Sequence, residues 1–270
     1  MKRNFLFIAV LAALAIASTG CDKLKARDNL KRGVQSFTNA KYPEAVAYFQ
    51  KAVQLDPTFP TTHTYLAIAY MSQYIPGAES PENVHMAENA FNEFQKVLEL
   101  DPKDENATAY IAKLYFDQKK MDKAMEWYKK VIAINPKNKE AYYTMGVIAW
   151  SQWLIPDREA RNKMSMKAED PGPLKDKKIR EELKAKYRPM LDEGAANMQK
   201  ALDIDKEYNE AMAYMNLLIR YRADLDDTQE EYKKDVDAAD NWVQKSLATM
   251  KIKNERLPKS AGGITNDVLK

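Results

Sequence analysis

Cysteine occurs once in these 270 residues and histidine twice. A lone thiol rules out a disulfide within the chain. With His63 and His85 far apart, no cluster has the spacing of a metal site, so both read as surface or packing residues. Glycine is scarce too, with 8 against 13 methionines and 15 tyrosines, a turn-poor composition that leans towards helices. A charge excess of either sign is also missing. The formal net charge is +3, and setting aside Lys2 and Arg3 leaves 40 basic against 39 acidic residues. An interleaved, nearly neutral chain offers no electrostatic footprint for nucleic acid, and its charges read as solvated helix faces. Phosphate loops, dinucleotide glycine motifs and nucleophile elbows are absent. Carboxylates are plentiful, but no partner is placed beside them to tune one for acid–base work. These absences point away from an enzyme, a metal and a cofactor.

One long apolar run is present, at the start: "MKRNFLFIAVLAALAIASTGCDKLK". Lys2 and Arg3 precede 13 apolar residues from Phe5 to Ala17. That is short for a permanent span and suits a secretory leader. The only cysteine, Cys21, follows Ser18-Thr19-Gly20. The arrangement resembles a bacterial lipobox, which implies a leader over 1–20, lipidation of Cys21 and a short linker to residue 25. Ser18 departs from the leucine preferred three residues before the cysteine, so ordinary cleavage after Ala15-Ile16-Ala17 stays open. Asp22 resembles an inner-membrane retention signal of enteric bacteria, a rule that does not transfer between lineages, and the choice of membrane stays open. The expected location is the bacterial envelope, facing the periplasm.

Further along, "YPEAVAYFQKAVQLDP" (42–57), "AENAFNEFQKVLELDP" (87–102) and "MDKAMEWYKKVIAINP" (121–136) share one pattern. An alanine is followed by a large residue four later, by Ala or Val three after that, and then by Asp-Pro or Asn-Pro. Pro102 and Pro136 are 34 residues apart, and another helical stretch lies upstream of each proline. The pattern resembles the tetratricopeptide repeat, a pair of antiparallel helices, A and B. The resemblance implies an all-α solenoid over 26–250, in five repeats at about 26–59, 60–104, 105–138, 139–208 and 209–250; the stretch 251–270 has no helical apolar stripe and reads as a flexible tail. Small residues such as Ala112 and Ala124 let A and B approach, and Tyr115 and Tyr128 fill the gaps.

The second and fourth repeats exceed the standard length, by 11 and 36 residues, each time between helices A and B. Both carry Ser-Gln-aromatic and then Ile-Pro, at Ser72-Gln73-Tyr74 and Ser151-Gln152-Trp153. The prolines, Pro76 and Pro156, are expected to stop helix A. The long insert, 157–190, contains a charged helical stretch at 174–187 that either leans on the array or covers its groove.

In tetratricopeptide arrays helix A lines a concave groove. Carried over position by position, the resemblance assigns a partner-binding role to Ile68, Met71, Phe116, Tyr143, Val147, Trp150 and Leu217, with Trp153 on the rim. Thr64, Ala109, Lys113, Ala213 and Arg220 complete the lining. The lysine and asparagine clamp that some family members use for a peptide carboxylate is missing. Two functions fit. One is a lipid-anchored scaffold holding a protein or peptide partner, in the manner of envelope and outer-membrane assembly lipoproteins. The other is a small-ligand or glycan binder whose aromatic pocket is lidded by 157–190.

Overall fold

The computed structural model describes the backbone of residues 2–167 and 169–256, and side chains from residue 20 onward within those ranges. The side chains of the expected leader, and the expected tail from residue 257, lie outside the described residues. Among the described residues there are ten α-helices and no strand, as an all-α fold requires. They are α1 (Lys2–Thr38), α2 (Tyr42–Leu55), α3 (Pro60–Met71), α4 (Pro81–Leu100), α5 (Glu105–Asp117), α6 (Met121–Ile134), α7 (Lys139–Lys163), α8 (Lys177–Ile204), α9 (Asn209–Ala223) and α10 (Gln229–Arg256). Consecutive helices pair as hairpins, α1 with α2 through to α9 with α10. Two compact units divide the chain, at Met1–Pro136 and Lys137–Lys270. Among the described residues no helix is long and apolar enough to cross a membrane.

The repeated proline works together with a cap. Helices α2, α4 and α6 end one residue before Asp56, Asp101 and Asn135, each held out of the helical region by the following proline. Three residues after each proline the next helix starts. Asp104 accepts the amide of Ala107 at 2.7 Å, and Asn138 accepts that of Ala141 at 2.8 Å. Each such cap contributes about 1 kcal/mol. The small–large–small triplets, Ala45-Phe49-Ala52, Ala90-Phe94-Val97 and Ala124-Tyr128-Val131, are all buried.

In the first unit two B-helix phenylalanines stack on a tyrosine of the next A helix. Phe49 meets Tyr65 at 5.7 Å between ring centroids, and Phe94 meets Tyr110 at 5.0 Å. His63 pins α3 to α4. Its Nδ1 lies 2.6 Å from Glu93 Oε2, and its Nε2 lies 2.9 Å from the Pro57 carbonyl. Glu93 pushes the imidazole pKa up, against the opposing effect of burial. His63 is thus a packing residue, while His85 is exposed beside Glu88.

The insertions depart from expectation. Pro76 does follow a finished helix, since α3 ends at Met71. Pro156 does not stop α7, which runs on to Lys163 with the proline inside it. The stretch 174–187 is not a separate helix either. It is the first half of α8, which passes through Pro189 into the B helix proper. An interior proline costs about 3 kcal/mol, so tertiary contacts must hold these helices together. One is the close approach of α8 to α7. A Cβ on Gly194 would meet the Ala149 Cβ at 2.7 Å, which is why glycine stands where the repeat calls for alanine. At the far end α9 stops at Ala223, before the acidic run. Helix α10 extends to Arg256, past the residue where the tail was expected to begin.

Candidate functional site

Helices α7 and α9 lie side by side in the second unit. Their shared face carries a ladder of rings. Tyr143 is 5.2 Å from Tyr208 and 5.5 Å from Tyr214, the latter edge-on. Trp150 stands edge-on to Tyr214 at 5.4 Å and to Tyr221 at 6.3 Å. Such pairs contribute about 0.5–1.5 kcal/mol each beyond area burial. All five rings are half-buried, so one side of the ladder packs and the other faces out. Burial pushes the Tyr143 phenol up to about 12. Trp150 has no polar anchor, because its indole Nε1 is buried without an acceptor.

The sequence-assigned residues divide accordingly. Tyr143, Trp150 and Leu217 belong to this face and keep surface open. Val147 lies between them in sequence but is buried, and Trp153 is wholly buried at 0% exposure. Trp153 is therefore removed from the partner-binding set, and Val147 with it. The Trp153 indole donates to the Tyr221 carbonyl at 3.1 Å, and its ring packs 5.1 Å from Tyr187 of α8. The second tryptophan faces the protein's own insert, and the pair does not form a platform on which a sugar could stack. In the first unit Ile68, Met71 and Phe116 are half-buried, Ile68 and Met71 against the core. Lys113 is exposed and held by Asp117 at 2.7 Å. Cys21 is a free, exposed thiol.

Sequence reasoning missed a second feature, at the C-terminal half of α7. Asp157 and Arg161 lie one turn apart on α7, and Asp224 sits just after α9. All three are buried. Arg161 Nη2 donates to both Asp224 oxygens at 2.6 Å, and its Nη1 donates to the carbonyls of Lys167 and Asp170. The guanidinium thereby folds the insert's loop onto the turn after α9. Asp157 is served less well: its Oδ2 is 3.4 Å from Arg161 Nε, and its Oδ1 has no hydrogen-bond partner. Burial, reinforced by the Asp224 charge, pushes the Asp157 carboxyl up to about 7.

Further ties hold the insert down. Gly172 packs so closely that a Cβ there would run into Asp224 and the Tyr232 ring. The Leu174 amide donates to the Asp224 carbonyl at 2.9 Å, and Arg188 donates to Asp226 at 2.6 Å. The insert is thus a docked part of the fold, and it walls a cleft of about 590 Å³. Asp157, Arg161 and Asp224 form the cleft's buried side, with Leu154, Leu217 and Tyr221 among its apolar lining. The only readable signal for this cluster was the i, i+4 spacing of Asp157 and Arg161. Its third member, 63 residues further along, carried none.

A family model described as TPR repeat matches residues 112–152. Hsp70-Hsp90 organizing protein 3 of Arabidopsis thaliana is 31% identical over 119 residues, 44% of this chain and 19% of its own length. Sperm-associated antigen 1 of Mus musculus is 28% identical over 117 residues, 43% of this chain and 12% of its own length. The chain thus spans a fifth or less of these curated relatives. Among solved structures, MamA is similar with a TM-score of 0.56 at 16% identity, covering 87% of this chain and 96% of that one. YrrB, described as a TPR protein with an unusual peptide-binding site, gives a TM-score of 0.51 at 13% identity, covering 84% of this chain and 90% of that one. These likenesses show the fold to be an α-solenoid of the tetratricopeptide type.

Proposed function

We propose that this chain is a lipid-anchored scaffold of the bacterial envelope that holds a protein or peptide partner on the aromatic face of its A helices. The observation that supports this most is the half-buried ladder of Tyr143, Tyr214 and Trp150, an apolar surface of large rings on a rigid backbone. Rings of this kind dominate binding energy where a partner desolvates them. YrrB, a TPR protein with an unusual peptide-binding site, puts the same fold to such a use. The role is non-catalytic. Lipid at Cys21 would tether the chain to the membrane through its first repeat.

Capture from solubilised membranes tests the scaffold. Wild-type protein is expected to retain a stable partner, and Trp150→Ala combined with Phe116→Ala to lose it by tenfold or more. Both side chains are half-buried, so the variant should keep its helical circular dichroism. Unchanged capture by the folded double variant would sink this reading. Lipidation has an independent test. Cys21→Ser should move the protein from the membrane to the soluble envelope fraction, and a variant that stays bound would exclude the cysteine as the anchor.

A further inference from the structure

The cleft beside α7 has a charge arrangement that the aromatic face does not explain. Its buried side holds two carboxylates, Asp157 and Asp224, and one guanidinium, Arg161. Arg161 is committed: both short contacts go to Asp224, and its other donors hold the insert's backbone. Asp157, 2% exposed, keeps one carboxylate oxygen that no donor reaches, and it shares a hydrogen bond with Asp224 only when it carries a proton itself. A buried oxygen in that state is rare in native structures and costs free energy until a donor reaches it. The cations on the cleft's rim do not serve. Arg158 and Lys167 are exposed to solvent, and Arg220 is held by Asp240 and Asn216. What the cleft lacks is one positive charge at the end of an apolar stem. Leu154 and Leu217 line it as apolar walls for a methylene stem, and Tyr221 and Tyr232 line it beside them.

We infer that this cleft receives a lysine or arginine side chain of the partner, its charged end on Asp157 and its methylenes between Leu154 and Leu217. The inference rests on the scaffold reading and deepens it, because it gives the bound segment a chemistry, apolar with one basic residue. Leu217 belongs to the helix-A face and also to this cleft, so a segment lying along the rings reaches Asp157 without leaving the surface.

The test uses three blocked peptides, acetyl-Leu-Lys-Leu-amide and its norleucine and glutamate counterparts, titrated calorimetrically into the full chain at pH 8. The wild type should prefer the lysine peptide over norleucine by fivefold or more and bind the glutamate peptide least. In Asp157→Asn the preference should fall below twofold. That variant keeps Arg161 paired one-to-one with Asp224, and its melting curve confirms folding. Equal binding of lysine and norleucine by the wild type overturns the inference, as do a preference untouched in Asp157→Asn and failure of all three peptides to bind. The scaffold reading fails separately, through partner capture that survives loss of Trp150 and Phe116.

Discussion

Arg161→Leu is expected to destabilise the second unit by about 3–5 kcal/mol, the range for removing one partner of a buried ion pair. The guanidinium serves four acceptors at once: both oxygens of Asp224 and the carbonyls of Lys167 and Asp170. Leucine supplies similar volume and none of the donors. Two buried carboxylates then face each other without a cation, and the loop leading into α8 loses its tie to the turn after α9. Thermal unfolding of the variant should therefore depend on pH. In the wild type the Asp157 carboxyl stands near pH 7, above its ordinary 3.8. The folded state holds that proton more tightly than the unfolded state does. The resulting stability is present at low pH and lost as pH rises from about 4 to about 7. Removing Arg161 pushes Asp157 and Asp224 further up, so the variant should lose most at pH 8 and recover part of the loss at pH 5. A pH-independent loss of less than about 1 kcal/mol would show that the cluster does not hold the insert.

Trp153→Ala is expected to cost about 3–5 kcal/mol, the range for truncating a large aromatic in a closed core. For a unit of this size that corresponds to a fall in melting temperature of roughly 10 °C or more. The ring is fully enclosed, packs on Tyr187 and loses its hydrogen bond to the Tyr221 carbonyl. Trp150→Ala, three residues away, should behave differently. Its ring is half-buried and its nitrogen has no acceptor, so the loss should be near 1 kcal/mol, the effect of a few edge-on ring contacts. Differential scanning calorimetry of the two single variants separates a core tryptophan from a surface one. Equal effects would contradict the division drawn between them.

The contrast shows where sequence reading stops. Trp150 and Trp153 are three apart in one apolar run, and nothing in that run says which points inward. Exposure is decided by Tyr187, which stands in α8, and by the Tyr221 carbonyl in α9. A period-34 pattern is blind to both, because it describes a repeat's contact with its own pair and its neighbours. The same holds for the prolines. Read locally, Pro156 and Pro189 end helices, since each removes a backbone donor and crowds the preceding turn. Inside the long α7–α8 hairpin they are tolerated, because Gly194 against Ala149 and Arg161 on Asp224 hold the helices on either side.

The sequence by itself determined the all-α class, the helix pairs of the first three repeats and their repeating core. Ala45, Phe49 and Ala52 and their equivalents recur at helical spacing, and Asp-Pro or Asn-Pro ends each of the first three units, so local chemistry suffices to place those. It also determined that Tyr143, Trp150 and Leu217 fall on the A-helix face. Only the tertiary structure decided that the insert docks instead of standing free, that Trp153 is core, and that Asp157 lies buried beside a cleft with one oxygen unmatched. Those outcomes depend on side chains 30 to 70 residues apart meeting in space, and the energy of a buried charge is set by its neighbours, which no spacing along the chain encodes.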